Sequence, residues 1–274
     1  MKKYTIIKYG IAILIASILV LIANRLVYEK TGTCKEGNCT DGHGVKELFN
    51  GDMYTGFFKN GQPSGKGRMN YKDGRVYTGS FVKGIKDGDG TIVCPDGRVF
   101  TGTFKNDQLR EGKYIFADGT VYKGTYKNGK LHGEGELVFT DGRKYKGQLK
   151  SDRRHGKGMF VWASGKKYEG DFHEDYMHGQ GIFTFPDGAV YEGKFRKDLF
   201  HGEGRFIYTD GKILSGRFKW GKPPKNGRMT YPDGRIYEGE LKEGFPNGMG
   251  TMTYPDGTQK TGKFVKDTLI MEKK

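Results

Sequence analysis

YEGDFHEDYMHGQGIFTFPDGAV, residues 168–190, is a unit that the chain repeats. Its opening aromatic and the glycine two places later return as Tyr54/Gly56, Tyr77/Gly79, Phe100/Gly102, Tyr122/Gly124, Tyr145/Gly147, Tyr191/Gly193, Leu214/Gly216 and Tyr237/Gly239, at intervals of 23 residues with one of 22. A period in this range specifies a stacked array in which no unit buries a core alone.

Within the unit, Tyr168, Gly170 and Phe172 alternate, as do Gly179, Gly181, Phe183 and Phe185, so each set falls on one face of a strand. Each repeat therefore reads as two strands. The polar run 173–178 is assigned to the first turn, and Pro186-Asp187-Gly188 to the second, where fixed φ, side-chain hydrogen bonding and positive φ are all supplied. Glycines on the aromatic face leave room for a Tyr or Phe ring to lie across bare backbone. With no helix or second sheet to cover that face, the rings and the contacts between repeats must supply most of the stability, each buried ring contributing about 1.5–3 kcal/mol before entropy.

The pattern resembles the MORN repeat: Tyr-Glu-Gly at 168–170, 191–193 and 237–239, His-Gly-x-Gly at 132–135, 155–158, 178–181 and 201–204, and Asp-Gly closing nearly every unit. The departures are Leu214 for the opening aromatic, Ser164 for the terminal Asp and Lys225 for one of the paired glycines. The resemblance implies an all-β fold, a single-layer antiparallel meander of about ten hairpins. It also implies association with membranes or lipid headgroups and with protein partners, often through homodimerisation. MORN arrays occur fused to lipid kinases and a lysine methyltransferase, but no residues remain here to form such a domain.

Lys2, Lys3 and Lys8 precede an apolar run from Tyr9 to Ala23. Residues 1–29 are read as a signal-anchor helix with a cytoplasmic N-terminus and the array on the far side. The alternative is a signal peptide cleaved after Ala23, although Leu21 is large for such a site. Residues 30–53 read as a degenerate capping repeat, 54–264 as the array and 265–274 as a tail. In the cap, Cys34 takes an inward aromatic position and Cys39 falls in the next turn, so a disulfide is expected if the segment is exported. Cys94 reads as a buried core thiol.

Catalytic, cofactor and metal sites are not expected. His132, His155, His178 and His201 recur once per repeat, about 9–10 Å apart, too far to share a zinc ion, and are read as turn residues, with a row of charge gained in acid as the lesser alternative. The Asp ladder from Asp73 to Asp256 is explained by Asp-Gly turns, and no phosphate loop, dinucleotide fingerprint or nucleophile elbow is present.

A formal charge of +15 favours anionic partners. Lys35, Lys59, Lys105, Lys127, Lys150, Arg196, Lys219 and Lys242 sit one place after the inward residue of the first strand, and so line one edge. A second row, Arg75, Arg98, Arg143, Lys166, Lys212 and Arg235, follows the Asp-Gly turns, whose carboxylates offset it. The first row reads either as solvated charge that blocks sheet aggregation or as a track for acidic phospholipids. Nucleic acid is disfavoured because the aromatics alternate inward with glycines. The reading is a membrane-anchored, non-enzymatic scaffold with an unidentified protein partner, binding through an aromatic groove and its basic edge. The rival is a secreted module that holds anionic surface polymers or a host protein.

Overall fold

The computed structural model describes residues 32–272. The signal-anchor expected at residues 1–29 lies outside these residues. Among the described residues, no helix is long and apolar enough to cross a membrane. The described residues form 22 strands and divide into two compact units, unit 1 ending at Arg153 and unit 2 beginning at Arg154. Within each unit, consecutive strands pair antiparallel from hairpin to hairpin, as the repeat requires.

The first turn is tighter than expected. Lys167–His173 and Tyr176–Thr184 are separated by Glu174 and Asp175 alone, with φ of 49° and 73°. Two successive positive φ values are the signature of the type I′ turn, whose twist matches that of the flanking strands. The run 173–178 is thus a turn of two residues, and His178 lies in the second strand. His132, His155 and His201 are likewise strand residues.

The remaining residues are taken up by a bulge. Gly170 pairs with Gly181, but Asp171 pairs with His178, so Gly179 and Gln180 have no counterpart on the first strand. Gly179 has φ of 61°, a conformation that glycine enters without penalty. The His-Gly-x-Gly motif therefore encodes a bulge, and polarity alone did not separate an exposed strand from a turn.

Beyond the bulge, the second glycine of each motif enters a row that runs across the strands. In unit 1 the paired positions are Gly44, Gly56, Gly67, Gly79, Gly90, Gly102, Gly112, Gly124, Gly135 and Gly147. Unit 2 carries the same row from Gly158 through Gly181 and Gly204 to Gly262. The tyrosines lie over this row. A Cβ on Gly170 or Gly181 would come 2.6 Å from the Tyr168 hydroxyl oxygen.

Each hydroxyl then donates to the backbone carbonyl three residues on: Tyr168 to Asp171 at 2.8 Å, Tyr191 to Lys194 at 3.0 Å and Tyr237 to Glu240 at 2.7 Å. The rings also join repeats. Tyr168 packs edge-on against Phe172 of its own strand at 5.0 Å and Phe195 of the next repeat at 4.9 Å, and Tyr54 does the same with Phe58 and Phe81. Such pairs contribute about 0.5–1.5 kcal/mol beyond area burial. Cys94 is buried and unpaired, as its aromatic-equivalent position implies.

The irregular repeat opening at Leu214 is compensated. Pro224 sits over Gly216, with a Cβ there 2.9 Å from Pro224 Cγ, in the space that a tyrosine occupies elsewhere. Lys225 accepts from the Leu241 N–H at 2.7 Å. At the end of the chain, Gln259–Val265 pairs with Thr268–Glu272, so part of the segment expected as a tail is a strand. Phe264 is 1% exposed and packs on Tyr237 at 4.9 Å.

Candidate binding edges and groove

Each first-row cation stands at the end of a first strand, directly before a tight turn. Lys59, Lys105, Lys127 and Lys150 terminate strands of unit 1; in unit 2 Arg196 and Lys242 terminate strands, and Lys219 follows Ile213–Phe218. All seven are exposed. Val82 interrupts the row in unit 1, and His173 takes the corresponding place in unit 2. Lys35 stands apart: a register shift separates its neighbours Cys34 and Glu36, and its ammonium pairs with Glu47 at 2.8 Å.

The two rows differ in charge balance. Arg75, Arg98, Arg143 and Arg235 bind Asp73, Asp96, Asp141 and Asp233 of their own turns at 2.7–2.8 Å, and Lys212 reaches Asp210 at 3.3 Å. The backbone N–H and then the guanidinium of Arg235 hold the Asp233 carboxyl below the usual range. In the first row, Lys105 pairs with Asp87 at 3.1 Å. Lys59, Lys127, Lys150, Lys219 and Lys242 have no carboxylate partner among the described residues.

The expected aromatic groove is not open. Tyr54, Tyr77, Tyr122, Tyr145, Tyr168, Tyr191 and Tyr237 are fully buried, because glycine lets each ring lie flat on the sheet and the next repeat closes over it. The open groove in unit 1 lies on the opposite face. It has a volume of about 600 Å³ and a floor of Gly56, Gly67, Gly79, Gly90 and Gly102. Its walls are Thr55, Thr78, Thr91 and Thr101, with Phe57, His43, Lys66, Arg68 and Asp89.

A second carboxylate ladder was not separated from the Asp-Gly turns in the sequence. Asp107, Asp152, Asp175 and Asp198 occupy the second position of the tight turns and accept from the N–H of Lys86, Leu131, Arg154 and Met177 in the preceding repeat at 2.8–2.9 Å. Their own N–H groups return a bond to the carbonyls of the same four residues. Opposite Pro63, which has no N–H, the turn residue is Gly84. The 23-residue spacing of Asp152, Asp175 and Asp198 was the available signal.

One histidine outside the once-per-repeat ladder stands between two of its members. His173 bridges His155 and His178, with ring centroids 5.1 and 5.8 Å apart. No group of three or more His, Cys, Asp or Glu among the described residues is arranged to hold a metal. The Cys34 and Cys39 sulfurs are linked at 2.11 Å.

The chain is similar to solved structures at low identity. The TCP10 domain of Danio rerio CPAP, solved in complex with a peptide of Danio rerio STIL, is 18% identical over 89% of this chain and 99% of that one, with a TM-score of 0.40. The SAS-4 (dCPAP) TCP domain of Drosophila melanogaster, in complex with a proline-rich motif of Ana2, is 14% identical over 73% and 90%, with a TM-score of 0.36. A streptogramin B lyase aligns at 11% identity over 86% and 87%, with a TM-score of 0.16. No curated protein matches. The MORN repeat profile matches residues 54–74, 77–97, 100–121, 122–142, 145–167, 168–190, 191–213 and 237–259, and the chain belongs to the MORN repeat family.

Proposed function

We propose that this MORN array is a non-enzymatic scaffold, tethered by residues 1–29, whose basic turn edges contact acidic phospholipid while the array holds a protein partner. The observation that carries the reading is the contrast between the two cationic rows: one is offset within its own turns, and the other keeps Lys59, Lys127, Lys150, Lys219 and Lys242 exposed with no carboxylate partner among the described residues. Each such cation near an anionic bilayer contributes about 1 kcal/mol, screened beyond about 10 Å. The glycine-floored groove of unit 1 is the candidate seat for an extended segment of the protein partner, and a second copy of the chain is one candidate for that partner.

The test is co-sedimentation of residues 32–274 with neutral and anionic vesicles at low and high salt. Binding to anionic vesicles alone, weakened by salt and lost on charge reversal at Lys127, Lys150 and Arg196, supports the reading. Binding unchanged by the reversal refutes it.

The linked Cys34 and Cys39 favour an exported array, which also fits the secreted alternative. Intact mass of the mature protein separates the two, since removal of residues 1–23 excludes the anchor.

A further inference from the structure

The cations before the tight turns have different neighbours in the two units. In unit 1 the residue directly across the turn is Gln62 for Lys59, Gln108 for Lys105 and Lys130 for Lys127, with Ile85 facing Val82, itself 49% exposed, where the row is interrupted. In unit 2 it is Leu199 for Arg196, Phe245 for Lys242 and Tyr176 for His173. The turn between Lys219 and Lys222 carries Trp220 itself, at φ of 53°. These four apolar side chains are 36–46% exposed. They share one strand-end position or the adjoining turn.

Their surroundings are cationic. The Arg196 guanidinium carbon lies 5.1 Å from the Trp220 ring centroid, and Lys197, Lys219, Lys222 and Lys242 are exposed on the same turns. Of the acids there, Asp175 and Asp198 are engaged by backbone N–H groups of the preceding repeat, which leaves Glu174 and Glu243 in the turns. The Trp220 turn is itself held, since the Gly221 N–H donates to the Phe200 carbonyl at 2.9 Å.

An exposed Trp in a held turn costs solvation, and a row that alternates cations with Tyr, Leu, Trp and Phe has a specific complement. At a bilayer interface, apolar bodies enter the acyl boundary while Lys and Arg stems extend to the headgroups. We propose that the turn edge of unit 2 inserts into an anionic bilayer through Tyr176, Leu199, Trp220 and Phe245, whereas the edge of unit 1, where polar partners face Lys59, Lys105 and Lys127 and Val82 with Ile85 is a single small aliphatic pair, contacts headgroups chiefly by charge. This rests on the acidic-phospholipid reading above and adds the inserting residues and the unit that carries them.

The experiment uses the full chain with Trp162→Phe, which leaves Trp220 as the one indole of the 2 in the sequence. The protein is reconstituted into phosphatidylcholine vesicles with or without phosphatidylglycerol. Energy transfer from Trp220 to dansyl headgroups reports approach, and quenching by brominated acyl chains reports insertion. Both signals are expected on anionic vesicles, and Leu199→Ser or Phe245→Ser lowers the inserted-to-free ratio by about tenfold. Approach without quenching overturns the insertion proposal and leaves the charge reading standing, as for headgroup contact or a protein-binding edge. Neither signal on anionic vesicles overturns both.

Discussion

Tyr191 and Gly204 lie on neighbouring strands, and the ring of one fills the space that a side chain on the other would need. A Cβ on Gly204 would meet the Tyr191 hydroxyl oxygen at 2.5 Å, while that hydroxyl is fixed by its bond to the Lys194 carbonyl. The relationship recurs along the array, so the stability of each hairpin depends on a glycine that contributes no contact of its own.

Gly204→Ala is expected to cost about 1–3 kcal/mol, the range for overpacking, with a lowered denaturation midpoint as the readout. Gly188 provides the contrast. No atom lies within 4 Å of its Cβ position and its φ is 93°, so Gly188→Asn is tolerated better than Gly188→Val. Equal losses for Gly204→Ala and Gly188→Asn would contradict the ring-on-glycine account.

The turn carboxylates make a prediction of opposite sign for two neutral replacements. Burial pushes the Asp198 carboxyl up, the Met177 N–H and Arg154 oppose this, and Asp175 adds to it. A raised carboxyl pKa means that the charged form is disfavoured in the fold, so the stability contribution falls as pH rises through the folded value. Asp198→Asn keeps an acceptor for Met177 and suits φ of 68°, and is expected to match or exceed the parent at neutral pH. Asp198→Ala loses the bond and about 0.5–1.5 kcal/mol. Thermal melts of the pair across pH 4 to 8 test the difference.

Alkaline pH should dissolve the array in a defined window. Burial pushes the hydroxyls of Tyr54, Tyr191 and Tyr237 up to about 12, against an ordinary value near 10. Their contribution is complete below pH about 10 and is lost as pH climbs through about 12, because the unfolded chain ionises first. Tyrosinate absorbance and the loss of circular dichroism are expected to rise together. Tyrosinate formation by these residues well before unfolding would refute their burial.

Leu214→Tyr restores the family residue and is nonetheless expected to destabilise. Pro224 already covers Gly216 and Gly227, so a tyrosine ring there would displace it. Combining Leu214→Tyr with Pro224→Gly is expected to recover part of the loss, measured as coupling in a double-mutant cycle.

The repeat, its two-strand unit, the Asp-Gly turn and the place of the tyrosines over glycine were legible from Tyr168 to Val190, because period-two alternation and glycine at fixed offsets leave few alternatives. The basic row was also legible, since its residues share one offset from the inward aromatic. What distinguishes Lys127 from Arg143, an unpaired cation from one held by Asp141, depends on turn geometry that residue spacing only hints at.

Sequence alone therefore determined the family, the all-β meander and the identity of the buried rings, all of which follow from local periodicity. Tertiary structure decided three further matters: that 173–178 is a two-residue turn plus a bulge, that the tyrosine face is closed, and that Leu199, Trp220 and Phe245 stand beside cations. The reason is physical. Register and bulge position set which side chains meet across strands, and those meetings are properties of paired strands that no single strand carries.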